Sequence, residues 1–359
     1  MTDLDEALAR FHLGDLEYAG GLANHGPMAA EALERLGHPS LIPAFADVYA
    51  PRLPPFEPGR PIPPEAQAPA LGDVSRASDW VATFEARLAE GDWREVAAGA
   101  VAELLPGLFA GAGHGWLRTA HALRGLGQVD DALRRRELAR GLAYWAARYQ
   151  TLPGRPGTGS QPAGAGVEAL ADWPLVAGDE PRAGLFFEAV RRLDGLPEFA
   201  AAVERFARPR SDALDGFVSA LCRGAAGLYL AHPERRVAYV HAVTIPSALR
   251  MLRPVLADEE ACRAATYAFQ AVAALHALFG AGSAEEAPDA EDAPDAEVAR
   301  IGDDWAAIRY HAACSLEEHS IKMVEACWRE DRIAPDPVLR RAAADAALRI
   351  DARGRPAAC

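Results

Sequence analysis

At 359 residues, 50% hydrophobic and 25% charged, the chain can bury a large core and does not have the composition of a disordered polymer. A formal net charge of −14, with no basic run longer than Arg134-Arg135-Arg136, argues against a phosphate-backbone partner, and nucleic acid is excluded on that ground. Arg, Asp or Glu interrupts every apolar run before the ~18 to 20 residues that a membrane helix requires, which excludes a membrane as well. The five cysteines form no Cys-x-x-Cys pair, and the N-terminus Met1-Thr2-Asp3-Leu4-Asp5 is acidic rather than a signal peptide, so a reduced, cytoplasmic location is expected.

In chain order, the first informative segment is Asn24-His25-Gly26-Pro27-Met28. Pro27 at a first helical position starts a helix over 28–36 and fixes His25 at its entrance. Asn24, the only asparagine, is placed to cap or to hydrogen-bond within the turn. Residues 51–69, rich in proline, read as a loop. Apolar residues at three and four spacing then predict helices over 79–90, 117–126 and 132–149.

The second of these carries Gly113-His114-Gly115-Trp116-Leu117-Arg118-Thr119-Ala120-His121. Seven residues make two turns, so His114, Arg118 and His121 share a face. At ~1.5 Å rise per residue the two histidine Cα atoms stand roughly 10 Å apart, and one metal ligand plus one neighbour is expected. The neighbour, with Arg118, could orient a ligand, hold a substrate oxygen or transfer a proton, and either histidine could instead cap a helix or sit in the core. Trp116, Tyr144, Trp145 and Tyr149 offer apolar or stacking walls, or core packing.

Glycines mark 153–166 as a loop, and a helix follows over 214–230. The β-branched stretch 237–245 is the best strand candidate, but the helical pattern after it favours a helix kinked at Pro246. His241, in Tyr239-Val240-His241-Ala242-Val243-Thr244, needs a partner in so apolar a setting, either a metal or a carbonyl. The helix over 259–279 carries His276, which reads as core. The acidic repeat 287–295 lies in a segment, 283–298, that reads as a disordered surface insertion. His12, His38, His232 and His311 read as surface or capping residues.

Near the C-terminus, Ser315-Leu316-Glu317-Glu318 has the form of a capping box, with Ser315 as N-cap and Glu318 at the third helical position. His319 and Lys322 then fall at i and i+3 on one face. Lys322 is the only lysine among 37 Lys+Arg residues. Arginine cannot substitute for it chemically: a buried amine can lose its proton and add carbon dioxide to become an anionic carbamate, whereas a guanidinium stays charged. A neutral imidazole beside an oxygen anion suits iron, zinc or manganese. An exposed His-x-x-Lys on a solvated face is the plainer alternative. The expected fold is all-α, a single large helical domain over 1–359 with an internal metal site. No Gly-x-Gly-x-x-Gly follows a predicted strand, and no Walker lysine exists, so nicotinamide use is not visible in the sequence.

Together these motifs resemble the questin oxidase family: Asn24-His25-Gly26-Pro27-Met28, His114-Gly-x-x-Arg-Thr-x-His121, His241-Ala-Val-Thr, and Glu318-His319-x-Ile321-Lys322. The resemblance runs over most of the chain. It implies a mononuclear non-haem iron held by histidines and a carboxylated lysine, in an oxygenase that opens anthraquinone-like aromatic polyketides with dioxygen, by ring cleavage or Baeyer-Villiger-type oxidation. Ligand roles carry over to His25, His114, His241, His319 and Lys322, with His121 and Arg118 as the catalytic candidates. The family's central motif looks like His-Pro-x-Ile-His where this chain has Arg118, which leaves the choice between His114 and His121 open. The resemblance also leaves NADPH use open. A zinc or manganese hydrolase using the same carbamate and a helical binding protein for small aromatic compounds are the alternatives.

Overall fold

A computed structural model describes residues 1–177, 185–281, 296–302 and 304–350. It is all-α, as expected. Strands among the described residues are limited to Glu17–Tyr18 and Leu22–Ala23, which pair antiparallel with Glu17 opposite Ala23. No described helix is long and apolar enough to cross a membrane. The chain divides into two compact units, Met1–Thr151 with Ala248–Ala261, and Leu152–Ser247 with Cys262–Cys359.

In the first unit the helices His114–Leu126 and Ala132–Ala147 pack along each other, and Gly26–Arg35 packs on the former. Their approach is close because a glycine stands at the contact: a Cβ on Gly115 would lie 2.4 Å from the Trp145 Cα. Trp116 and Trp145, both fully buried, meet edge to face with centroids 5.6 Å apart. Trp145 donates its indole N–H to the Gly107 carbonyl. Tyr144 donates to Glu17. These aromatics therefore build the core, and truncating either tryptophan would cost about 3–5 kcal/mol.

In the second unit, helix Glu318–Ile333 packs against Trp305–Ser315 and Pro337–Arg349. Arg236 forms a bidentate pair with Asp345, which also accepts the Tyr229 hydroxyl proton. Residues 237–245 lie inside helix Arg236–Leu252, so the strand alternative fails there. Pro246 sits within that helix, where it cannot donate to the Ala242 carbonyl.

Other expectations are corrected in detail. The loop over 51–69 contains helix Pro64–Ala70, started by a proline at its first position, and helix Ala163–Glu168 begins inside the loop over 153–166. Of the segment 283–298, residues 283–295 lie outside the described residues, and 296–298 open helix Ala296–Ile301. Ser315 ends helix Trp305–Ser315 instead of capping the next one. His12 is buried and donates from Nε2 to Glu137 at 2.9 Å, so it is no surface residue.

Candidate metal centre

In the first unit, His25 caps helix Gly26–Arg35, with Pro27 in the first turn. Asn24 secures the turn from both ends: its carbonyl oxygen accepts the Gly26 N–H at 3.0 Å, and its amide donates to the Asp15 carbonyl at 3.0 Å. The His25 backbone N–H donates to the Tyr49 hydroxyl at 2.7 Å. Its ring stacks on that of His114, centroids 4.5 Å apart and planes 19° from parallel, with the two Nε2 atoms separated by 2.7 Å.

The orientation of His114 comes from the turn ahead of it. Gly111, Ala112 and Gly113 all adopt left-handed backbone, with φ of 55°, 60° and 84°. Only glycine takes up that region without penalty, and Ala112 costs roughly 1 kcal/mol. The turn brings the Gly111 carbonyl back to accept the Nδ1 proton of His114. With the proton on Nδ1, Nε2 carries the lone pair.

Two further buried clusters hold the other candidates of this unit. Arg118 forks onto Glu137, Nε to Oε1 at 2.6 Å and Nη2 to Oε2 at 2.8 Å, and His12 donates to the same carboxylate. Burial alone would raise the Glu137 pKa, but the Arg118 charge and these hydrogen bonds outweigh it and hold the carboxyl down at about 2. His121 donates from Nδ1 to Glu31 at 2.8 Å, and Arg124 and Arg35 pair with the same residue. Glu31 is likewise held far below the carboxylate range, burial being overcome by the Arg124 charge and the His121 bond. The structure thus brings His114 together with His25, while Arg118 and His121 are engaged by Glu137 and Glu31. Neither glutamate stood out in the sequence; the one local cue was the Glu31–Arg35 spacing of four, an ordinary helix pair.

The second unit assembles His241, His319 and Lys322. His241, on helix Arg236–Leu252, donates from Nδ1 to the Val237 carbonyl one turn earlier at 2.8 Å. Its ring meets that of His319 at 5.6 Å and lies edge-on to Phe186 at 5.7 Å. Burial pushes the His241 pKa well below its usual value, and His319 and Lys322 add to the effect, so the ring is neutral. Lys322 follows His319 by three residues on helix Glu318–Ile333 and is 2% exposed. An exposed His-x-x-Lys face is therefore not what the fold builds.

The cap of that helix is Glu317, which is fully buried. One carboxylate oxygen accepts the backbone N–H groups of His319 at 2.8 Å and Ser320 at 2.7 Å, and the other accepts the His319 Nδ1 proton at 3.0 Å. The adjacent Glu318 is also fully buried, and a carboxylate oxygen of it comes within 4.8 Å of a His319 ring nitrogen.

In each unit taken by itself, the donor types suit a first-row divalent metal. His114, His241 and His319 each tie Nδ1 to a fixed acceptor and present Nε2 as the donor, the arrangement that orients metal-ligating imidazoles. Buried carboxylates and a buried amine capable of carbamylation supply the anionic oxygen such a metal prefers. No protein-family model matches the chain, and no curated protein matches it.

Proposed function

We propose that the chain is a non-haem iron oxygenase acting on a small aromatic, polyketide-like substrate with dioxygen. The ligand candidates are His241, His319 and the carbamate of Lys322 in the second unit, and the His25–His114 pair in the first. The observation that carries the reading is the shared Nδ1 anchoring: Gly111, Val237 and Glu317 take the Nδ1 protons of three histidines to which the family resemblance carries ligand roles. Metal-ligating imidazoles almost always donate the other ring N–H to a fixed acceptor of this kind. The burial of the only lysine adds to this, because a buried amine can lose its proton and take up carbon dioxide.

Bound there, iron would supply the electrons and the open coordination position that dioxygen chemistry needs. The chain's own part is narrower. It keeps His241 neutral by burial, fixes the ring tautomers through Nδ1, and sets the Phe186 ring edge-on against His241. Arg118 and His121 act in this proposal from the helix that carries His114: Arg118 as a fixed charge held by Glu137, and His121 as a proton carrier oriented by Glu31.

Metal analysis of the undamaged full chain, grown with added iron, tests the proposal. About one iron per chain is expected, and oxygen uptake with an electron-rich hydroxylated anthraquinone should depend on it. Protein that refuses iron, or that turns substrate over equally well without oxygen, would overturn the reading.

A further inference from the structure

Glu317 differs from the other two acceptors because it is charged and because it serves two masters. Gly111 and Val237 hold His114 and His241 with neutral carbonyls. We infer that Glu317 is a positioning residue for metal binding, which fixes the Nδ1–H tautomer of His319 and strengthens its Nε2 as a donor; the inference rests on the metal site proposed above.

The corner ahead of Glu317 is built to aim it. Ser315 donates its hydroxyl proton to the Ala312 carbonyl at 2.7 Å and accepts the Glu317 N–H at 3.1 Å, and between them Leu316 takes a left-handed φ of 51°. A bulky residue in that region is strained, which is tolerated only where the surroundings enforce it. The chain thus turns sharply from helix Trp305–Ser315 into helix Glu318–Ile333 and delivers a buried carboxylate at the cap.

Capping alone does not explain a glutamate. Asp, Asn, Ser and Thr are the residues preferred there, since their short side chains reach the N–H groups of the first turn. The additional methylene of Glu317 lets one oxygen stay on the two backbone donors while the other reaches the ring. A charged acceptor on Nδ1 raises the basicity of the opposite nitrogen, and partners of this kind are typically worth about 10- to 100-fold in metal affinity.

Glu317→Gln separates the two roles. Its amide oxygen can still cap the backbone, but the NH2 group then faces Nδ1 and favours the other tautomer, with a proton on the nitrogen that should bind metal. Co(II), titrated into the full chain as a spectroscopic probe, is expected to bind E317Q about 10- to 100-fold more weakly than the parent at unchanged helix content. Glu317→Asp, which keeps the charge and the cap but falls short of the ring, should lie between. Equal affinity of parent and E317Q overturns the inference. A parent chain that binds no Co(II) instead removes the metal proposal itself, so the two failures are distinct. Histidine 15N spectra of the unaltered chain decide the matter without any variant but a His319→Gln assignment control: an Nδ1–H signal for His319 is expected, and an Nε2–H signal overturns the inference.

Discussion

The Nε2 atoms of His25 and His114 face each other 2.7 Å apart, although the two residues are separated by 89 positions in sequence. The His114 ring is held through Nδ1 on the Gly111 carbonyl, and the His25 main chain is held through its N–H on the Tyr49 hydroxyl. Replacing His114 with alanine leaves His25 buried without this bond and should cost about 1–3 kcal/mol in a urea titration. Iron content, measured on the same preparation, is expected to fall at least tenfold. An iron content equal to the parent's would exclude His114 from the ligand set.

Ala112 is the non-glycine residue in the left-handed turn that aims His114. Ala112→Gly should remove the steric penalty and stabilise the chain by up to about 1 kcal/mol, less the entropy that glycine adds to the unfolded state. Ala112→Val, β-branched at the same φ, should destabilise it and weaken metal binding with it. Denaturant midpoints of the two variants provide the check, and a destabilised Ala112→Gly would show that the turn carries no strain.

Glu137 and Arg118 form a buried bidentate pair with His12 attached. Glu137→Gln leaves the Arg118 charge without its counter-charge and is expected to cost about 3–5 kcal/mol. The double variant Glu137→Leu with Arg118→Met should recover much of that loss, because neither charge is then stranded. Thermal or denaturant unfolding of both proteins distinguishes this from simple additivity, in which the double variant would be the less stable of the two.

His276 is a core histidine whose Nδ1 meets the Tyr239 hydroxyl at 2.7 Å. Burial, together with nearby His232, lowers its pKa from 6.5 to about 4. A folded pKa below the unfolded one means that the folded chain binds fewer protons between those values. Stability attributable to this residue therefore falls as the pH drops from 6.5 toward 4, by about 3 kcal/mol in all, and is level above and below that window. His276→Gln should make the stability profile shallower by close to one proton between pH 4 and 6.5. An unchanged slope would mean that His276 does not titrate in this way.

Much of the helical framework is legible in the residue pattern. The spacing of apolar residues predicts helices over 79–90 and 214–230, and the structure has Ala77–Glu90 and Leu214–Ala231, because the buried stripe and the helix period coincide there. The candidate site is legible only as residue types. His25, His114, His241, His319 and Lys322 are visible as rare or oddly placed groups, but Glu31, Glu137 and Glu317 are three acids among 51, and no local pattern says which of them the fold will bury against an imidazole. The misread cap at Ser315 has a definite cause. Ser315 and Glu317 both suit an N-cap, and the left-handed Leu316 between them, which a sequence pattern gives no reason to expect, moves the helix start by two residues.

Diffraction from crystals of the full chain grown with iron, with data taken on both sides of the iron absorption edge, addresses the central claim most directly. The account predicts one anomalous peak per chain beside His241 and His319, and density for a carboxylate extending from the Lys322 amine. A bare amine at Lys322 with no anomalous peak, in undamaged protein, would contradict it.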